Sequence, residues 1–153
     1  MNQNRRDMLR ISAVLGMAFS AGLLKASDVF AADWNQTAFD AKSLEDVVKA
    51  LGGDKFAVSG DVSIVGPDIA ENGAVVPVSV SSKVPNTEYV AILVEKNPSA
   101  LSAGFNLPAG TEATVSTRVK MGATSNVHAL VKADGKWLVA TKEIKVTLGG
   151  CGG

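Results

Sequence analysis

The chain has 153 residues, 46% of them hydrophobic, enough for one core in one domain plus some processed or flexible sequence. Its 15 basic and 15 acidic residues give a formal charge of +0, with no basic run and no interleaving of aromatic with basic side chains. That balance argues against a nucleic-acid surface.

The first residues read as an export signal. Arg5 and Arg6 precede a moderately hydrophobic stretch rich in Gly and Ala from Ile11 to Leu24, then Lys25, and then Val29-Phe30-Ala31 ahead of Ala32-Asp33. A paired Arg before such a region is the twin-arginine type of bacterial signal, and the small residues around Ala31 suit signal peptidase. Fourteen residues, Ile11 to Leu24, fall short of the roughly 20 apolar residues that span a bilayer. The expected domains are therefore a cleaved signal over 1–31, a folded domain over 32–148 and a short arm over 149–153, with cleavage after Ala31 or Ala32 and a periplasmic destination. Removing 1–31 takes away Arg5, Arg6, Arg10 and Lys25 with Asp7 and Asp28, leaving 11 basic and 13 acidic residues, a net of −2. The twin-arginine route carries folded cargo, and without a visible cofactor motif a partner subunit is the expected reason for folding before export.

Leu44, Val47, Val48 and Leu51 repeat at helical spacing behind Ser43, with Asp46 three residues after Ser43 and Gly52 after the last turn. This predicts one short amphipathic helix capped by Ser43, which either caps one end of the sandwich, the favoured placement, or docks on a second subunit. Beyond Gly53 the apolar period drops toward two. Strands are predicted over 62–65, 74–80, 89–95, 113–120, 126–132 and 137–146, separated by turn sequences such as Gly66-Pro67-Asp68, Glu71-Asn72-Gly73, Pro85-Asn86 and the tight hairpin Asp134-Gly135. The stretch from Asn97 to Gly110, with Pro98, Gly104, Pro108 and Gly110, is predicted as a loop between sheets. The fold class is mainly β: an antiparallel sandwich with one short N-terminal helix and a flexible C-terminal arm.

That arm is Gly149-Gly150-Cys151-Gly152-Gly153, and it holds the chain's single Cys. One cysteine in an exported chain has no internal disulfide partner, so it either pairs with another chain or remains a reactive thiol. The four flanking glycines lose the most freedom on ordering, and having no side chains they make the thinnest tether a polypeptide can form. Such a tail suits an attachment point that threads into a recessed centre. An enzyme nucleophile needs instead a rigid surround with a base at hand.

Elsewhere the residues invite structural readings. His128 is the only histidine; with no second His or Cys at ligand spacing it is read as a surface or rim residue, and no metal site is expected. Trp137 is read as core, Trp34 as core or partner-facing. An exposed apolar sheet face is the expected subunit contact. Three alternatives to a thiol carrier stay open on the residues alone. One is a ubiquitin-like carrier holding sulfur as a terminal thiocarboxylate on Gly-Gly, which would need ATP. Another is an exported structural or adhesive sandwich whose tail Cys cross-links it to a neighbour. The third is a stand-alone thiol enzyme.

The terminal Gly-Gly-Cys-Gly-Gly, together with the twin-arginine signal, the run Pro67 to Val78 and the stretch from Phe105 into Lys142-Glu143-Ile144-Lys145-Val146-Thr147, resembles the SoxY family of periplasmic thiosulfate-oxidising systems. The resemblance implies an immunoglobulin-like sandwich and a non-catalytic carrier subunit that pairs with SoxZ. It further implies that sulfur intermediates are attached to the thiol of Cys151 with no other cofactor. Gly149, Gly150, Gly152 and Gly153 would give the arm its mobility. By the same resemblance the haem protein SoxXA loads thiosulfate, SoxB releases sulfate, and in some systems SoxCD oxidises the sulfur that remains.

Overall fold

A computed structural model describes residues 35–147. Arg5, Arg6, the cleavage region, Trp34, Leu148 and the arm from Gly149 to Gly153 lie outside the described residues. Two short helices, α1 (Gln36–Asp40) and α2 (Leu44–Ala50), precede nine strands: β1 (Phe56–Val58), β2 (Val62–Val65), β3 (Ile69–Ala70), β4 (Val76–Ser82), β5 (Thr87–Val94), β6 (Leu101–Asn106), β7 (Thr114–Val119), β8 (Ser125–Ala133) and β9 (Lys136–Val146).

The strands form two sheets. The larger runs β1-β9-β8-β5-β6, with β3 also pairing β9, and the smaller runs β2-β4-β7. Their inner faces meet in one apolar core: Val62, Val76, Val78, Val80 and Val119 of the small sheet face Val90, Ile92, Val94, Val127, Ala129, Val131 and Ile144 of the large one. This is the sandwich the alternating strands predict, each strand sending every second side chain inward. Most pairs are antiparallel, but the short β1 and β3 run parallel to β9, at Phe56↔Trp137 and Ile69↔Lys145.

The helices do not cap an end of the sandwich. They cover the outer face of the large sheet, where Ala38, Val47 and Val48 pack with Ala91, Leu93, Leu130 and Trp137 in a second apolar cluster. With both faces covered, β5 is buried continuously from Val90 to Val94, the pattern of a strand that cannot alternate. Trp137 is 6% exposed, as expected of a core residue. It meets Tyr89 edge-on at 6.0 Å, and a Cβ on Gly53 would lie 2.3 Å from its indole nitrogen.

Helix α2 follows its sequence signals closely. The Ser43 hydroxyl accepts from the Asp46 amide at 3.1 Å and donates to the Asp46 carboxylate at 2.7 Å. At the far end Gly52 has φ +83, its amide bonds to the Lys49 carbonyl and the Gly53 amide to the Val48 carbonyl, a Schellman closure that favours Gly. Helix α1 is unpredicted: its five residues are too few to show a period. It is nucleated by the Asn35 side chain accepting from the Ala38 amide at 3.0 Å. The Ala100 amide donates to the Ala41 carbonyl at 3.1 Å, and Ser99 donates to the Phe39 carbonyl, tying α1 to the β5–β6 connection.

Strand β6 corrects the predicted loop over 97–110. Its sequence, Leu-Ser-Ala-Gly-Phe-Asn, has weak strand propensity, and its pairing is made by β5, with Tyr89↔Asn106 through Leu93↔Leu101. The Tyr89 ring lies over Gly104, so close that a Cβ there would be 2.1 Å from the Tyr89 hydroxyl. Here Gly is required by close approach and not by conformation. At the β8–β9 hairpin, Asp134 and Gly135 have φ +48 and +71, the type I′ turn expected of Asp-Gly.

The outside of the small sheet carries hydroxyls, with Ser63–Ser81 and Ser79–Ser116 paired at 2.7 Å. Among the described residues the exposed large apolar side chains are Val58 on β1, Val65 on β2, Ile69 on β3 and Val75 just before β4.

Candidate functional site: the root of the C-terminal arm

Cys151 and its glycines lie outside the described residues, so the described part of the site is the ground the arm springs from. Strand β9 is 11 residues long and carries the chain from the Asp134-Gly135 hairpin to Thr147. Along most of its length it is held on one side by β8, in register from Ala133↔Lys136 to Ser125↔Ile144. The other side is held near the start by β1 and near the end by β3.

The last three described amides are each satisfied. Lys145 donates to the Asp68 carbonyl at 3.0 Å and Thr147 to the Ala70 carbonyl at 3.1 Å. Between them, the Val146 amide points the other way and donates to the Thr124 hydroxyl at 2.9 Å. The loop before β4 forms a third wall. Asn72 accepts the Ala74 amide at 2.9 Å through its side chain, and the Met121 amide donates to the Gly73 carbonyl at 2.7 Å. A Cβ on Gly73 would lie 2.4 Å from the Met121 carbonyl oxygen and 2.8 Å from Val146 Cγ1. The run Pro67 to Val78, singled out in sequence, thus contains two supports of the arm root, β3 and Gly73.

Lys142 links this run to β9 from the side. Its ammonium lies 2.9 Å from Asp68 Oδ1 and donates to the Gly66 carbonyl at 2.8 Å. The hydrogen bond and charge of Lys142 together hold the Asp68 carboxyl below its ordinary range. Asp68 is highly exposed, so solvent screens the pair and its role is to orient the turn more than to stabilise the fold.

His128 does not face the core. It belongs to the outer surface of the large sheet, beside α2, with its side chain 13% exposed. Nδ1 is 2.8 Å from the Thr141 hydroxyl and Nε2 is 3.8 Å from Glu95, whose carboxylate accepts from Asn126 at 2.9 Å. Burial lowers the His128 pKa, with Glu95 and Glu45 acting in the opposite direction. The imidazole is engaged by its neighbours, and from Thr141 to Thr147 the strand advances by about 20 Å. The four residues from Thr147 to Cys151 extend at most about 14 Å, so His128 is not placed to serve as a base for the arm thiol.

No group of three or more His, Cys, Asp or Glu is arranged to hold a metal among the described residues. Nor is a buried side-chain nitrogen or oxygen left without a partner there. A cleft of about 830 Å³ lies between Lys83–Glu88, Leu107–Ala113 and the Asp134-Gly135 turn, the opposite end of β9 from Thr147 and beyond the arm's reach. A groove of about 410 Å³ between β6 and β7, lined by Asn97 and Lys120 among others, contains no His, Cys or carboxylate. The sequence reading missed Thr124, Gly73 and the Asp68–Lys142 pair. Their roles depend on contacts with β9 from distant segments, Thr124 and Gly73 at Val146 and Asp68 at Lys142, and such contacts leave no local pattern.

The described residues define a class: a small two-sheet β-sandwich whose last strand leads into the Cys-bearing C-terminal sequence. The family model described as sulfur oxidation protein SoxY matches residues 48–151, ending on Cys151. The chain belongs to the SoxY family. The solved structure of the sulfur carrier protein SoxY from Chlorobium limicola f. thiosulfatophilum is 36% identical, with a TM-score of 0.64 over 69% of this chain and 97% of that one. The CARDB domain of the PF1109 protein from Pyrococcus furiosus, solved with di-metal ions, is 13% identical with a TM-score of 0.38 over 56% of this chain and 85% of that one, too distant to inform the site. No curated protein matches the sequence.

Proposed function

We propose that this protein is a covalent carrier of sulfur intermediates in thiosulfate oxidation, its cargo attached to the Cys151 thiol and presented to partner enzymes by the glycine-flanked arm. The observation that carries this reading is the family match itself, which extends through the sandwich to Cys151. A solved relative that is a sulfur carrier protein, similar over most of both chains, supports it.

The geometry supports carriage over self-contained catalysis. The arm leaves a firmly hydrogen-bonded strand end, and neither His128 nor the cleft at the opposite end of β9 is within about 14 Å of extended chain. Loading, hydrolysis and oxidation then belong to separate enzymes of the SoxXA, SoxB and SoxCD kinds, with a SoxZ-type sandwich as the paired subunit. Attachment keeps a small reactive anion from diffusing away between steps and raises its effective concentration at each partner. Gly149, Gly150, Gly152 and Gly153 contribute thinness and freedom, and no resident cofactor is required.

Export by the twin-arginine route to the periplasm belongs to the same reading and rests on Arg5, Arg6 and the apolar stretch behind them. Exposed Val58, Val65, Ile69 and Val75 offer apolar surface to a subunit. The test is intact mass after incubation with thiosulfate and the loading enzyme. Wild type gains an adduct and Cys151→Ser stays unmodified while remaining folded; an adduct retained in the mutant overturns the assignment.

A further inference from the structure

The end of β9 is held asymmetrically. Toward β3, the Lys145 and Thr147 amides bond to main-chain carbonyls of Asp68 and Ala70, bonds that do not depend on side-chain identity. Toward β8, the ladder stops at Ser125↔Ile144. Beyond that point the Val146 amide is taken up by a side chain, the hydroxyl of Thr124, at 2.9 Å. The same oxygen makes a longer contact of 3.5 Å to the Val146 carbonyl. One hydroxyl can accept from an N–H and donate to a C=O at once, so Thr124 stands in for the missing strand neighbour on both polar groups of Val146.

We infer that Thr124 is the positioning residue of the strand end from which the Cys151-bearing sequence continues: its hydroxyl closes the second edge of β9 at Val146. Without the hydroxyl, the end of β9 is still held toward β3 by the Lys145 and Thr147 amides but has lost its hold beyond Ile144 on the β8 side, so it opens more often. Gly73 cannot substitute for Thr124, because it supports Val146 by packing and offers that residue no hydrogen bond.

This inference rests on the carrier reading for its functional meaning, but its test needs no cargo. Amide exchange is measured in Thr124→Val, which keeps the side-chain shape, and in Thr124→Ser, which restores the hydroxyl. Val146 loses its acceptor directly in the valine variant, so the informative amide is Thr147, whose own acceptor on Ala70 is untouched. Exchange at Thr147 should quicken by about fivefold, the effect of losing one ordinary hydrogen bond, while Val127 and Leu130 in the core stay protected. A nitroxide on Cys151 should show greater mobility in Thr124→Val, and Thr124→Ser should return both readouts toward wild type. Unchanged exchange at Thr147, or a serine variant that behaves like valine, overturns the inference. Failure of the carrier reading is distinguished by a different result, the lack of any adduct on wild-type Cys151.

Discussion

His128 shows how a single residue can be legible in kind and not in setting. The sequence marks it as the lone histidine and a rim residue; the structure half-buries it on the outer sheet surface between Thr141, Glu95 and the start of α2. Burial favours the neutral ring more than Glu95 and Glu45 favour the charged one, so the folded pKa lies below the ordinary 6.5. As pH falls through about 6.5, the unfolded chain takes up a proton before the folded one does, and stability declines. The stabilising contribution is complete above that value and lost below it. Urea midpoints at pH 7.5 and 5.5 should therefore separate more in wild type than in His128→Gln; equal separations contradict this placement. Trp137 is the other residue whose role is now specific, since it joins the helices to the large sheet. Trp137→Ala should cost about 3–5 kcal/mol by denaturant unfolding, and a change under about 1 kcal/mol would mean the helix layer is not part of the cooperative unit.

Among the elements, α2 and the long antiparallel strands are the parts the chain announces locally. Ser43, Asp46 and Gly52 mark the ends of the helix, and β2, β5, β8 and β9 carry β-branched residues at a period of two wherever one face alone is buried. What stays hidden is whatever a distant partner creates. Strand β6 exists because β5 pairs with it and Tyr89 lies over Gly104. Strands β1 and β3 are two or three residues each, and their parallel pairing with β9 joins residues far apart in sequence. The arm root belongs to this hidden class, although two of its supports, β3 and Gly73, lie inside the run Pro67 to Val78 that carries the family resemblance. At this scale Gly73→Ala is a sharp test. The new methyl would meet a carbonyl oxygen of Met121 and the Val146 side chain, so it should destabilise the domain by about 1–3 kcal/mol and loosen the end of β9 first. Exchange at Val146 and Thr147 should rise more than exchange in the core; a uniform rise would place Gly73 in the general packing instead.

For the whole molecule, the described residues form a sandwich whose last strand is hydrogen-bonded through Thr147, and the residue proposed to carry cargo, Cys151, follows four positions later in the sequence. The proposed attachment point rests on Gly149-Gly150-Cys151-Gly152-Gly153, a motif that is read without tertiary context and lies outside the described residues. The sequence could not convey how the sandwich grips the strand before that motif. The central claim concerns the chemistry on Cys151, and trypsin isolates it by cutting after Lys145 to release the peptide from Val146 to Gly153. Its mass should be read on protein taken from cells oxidising thiosulfate. The carrier account predicts this peptide with added sulfur or sulfonate units that a thiol reductant removes. Finding it solely as free thiol or as a disulfide with a neighbouring chain, under those same conditions, would contradict the account and favour a cross-linking sandwich.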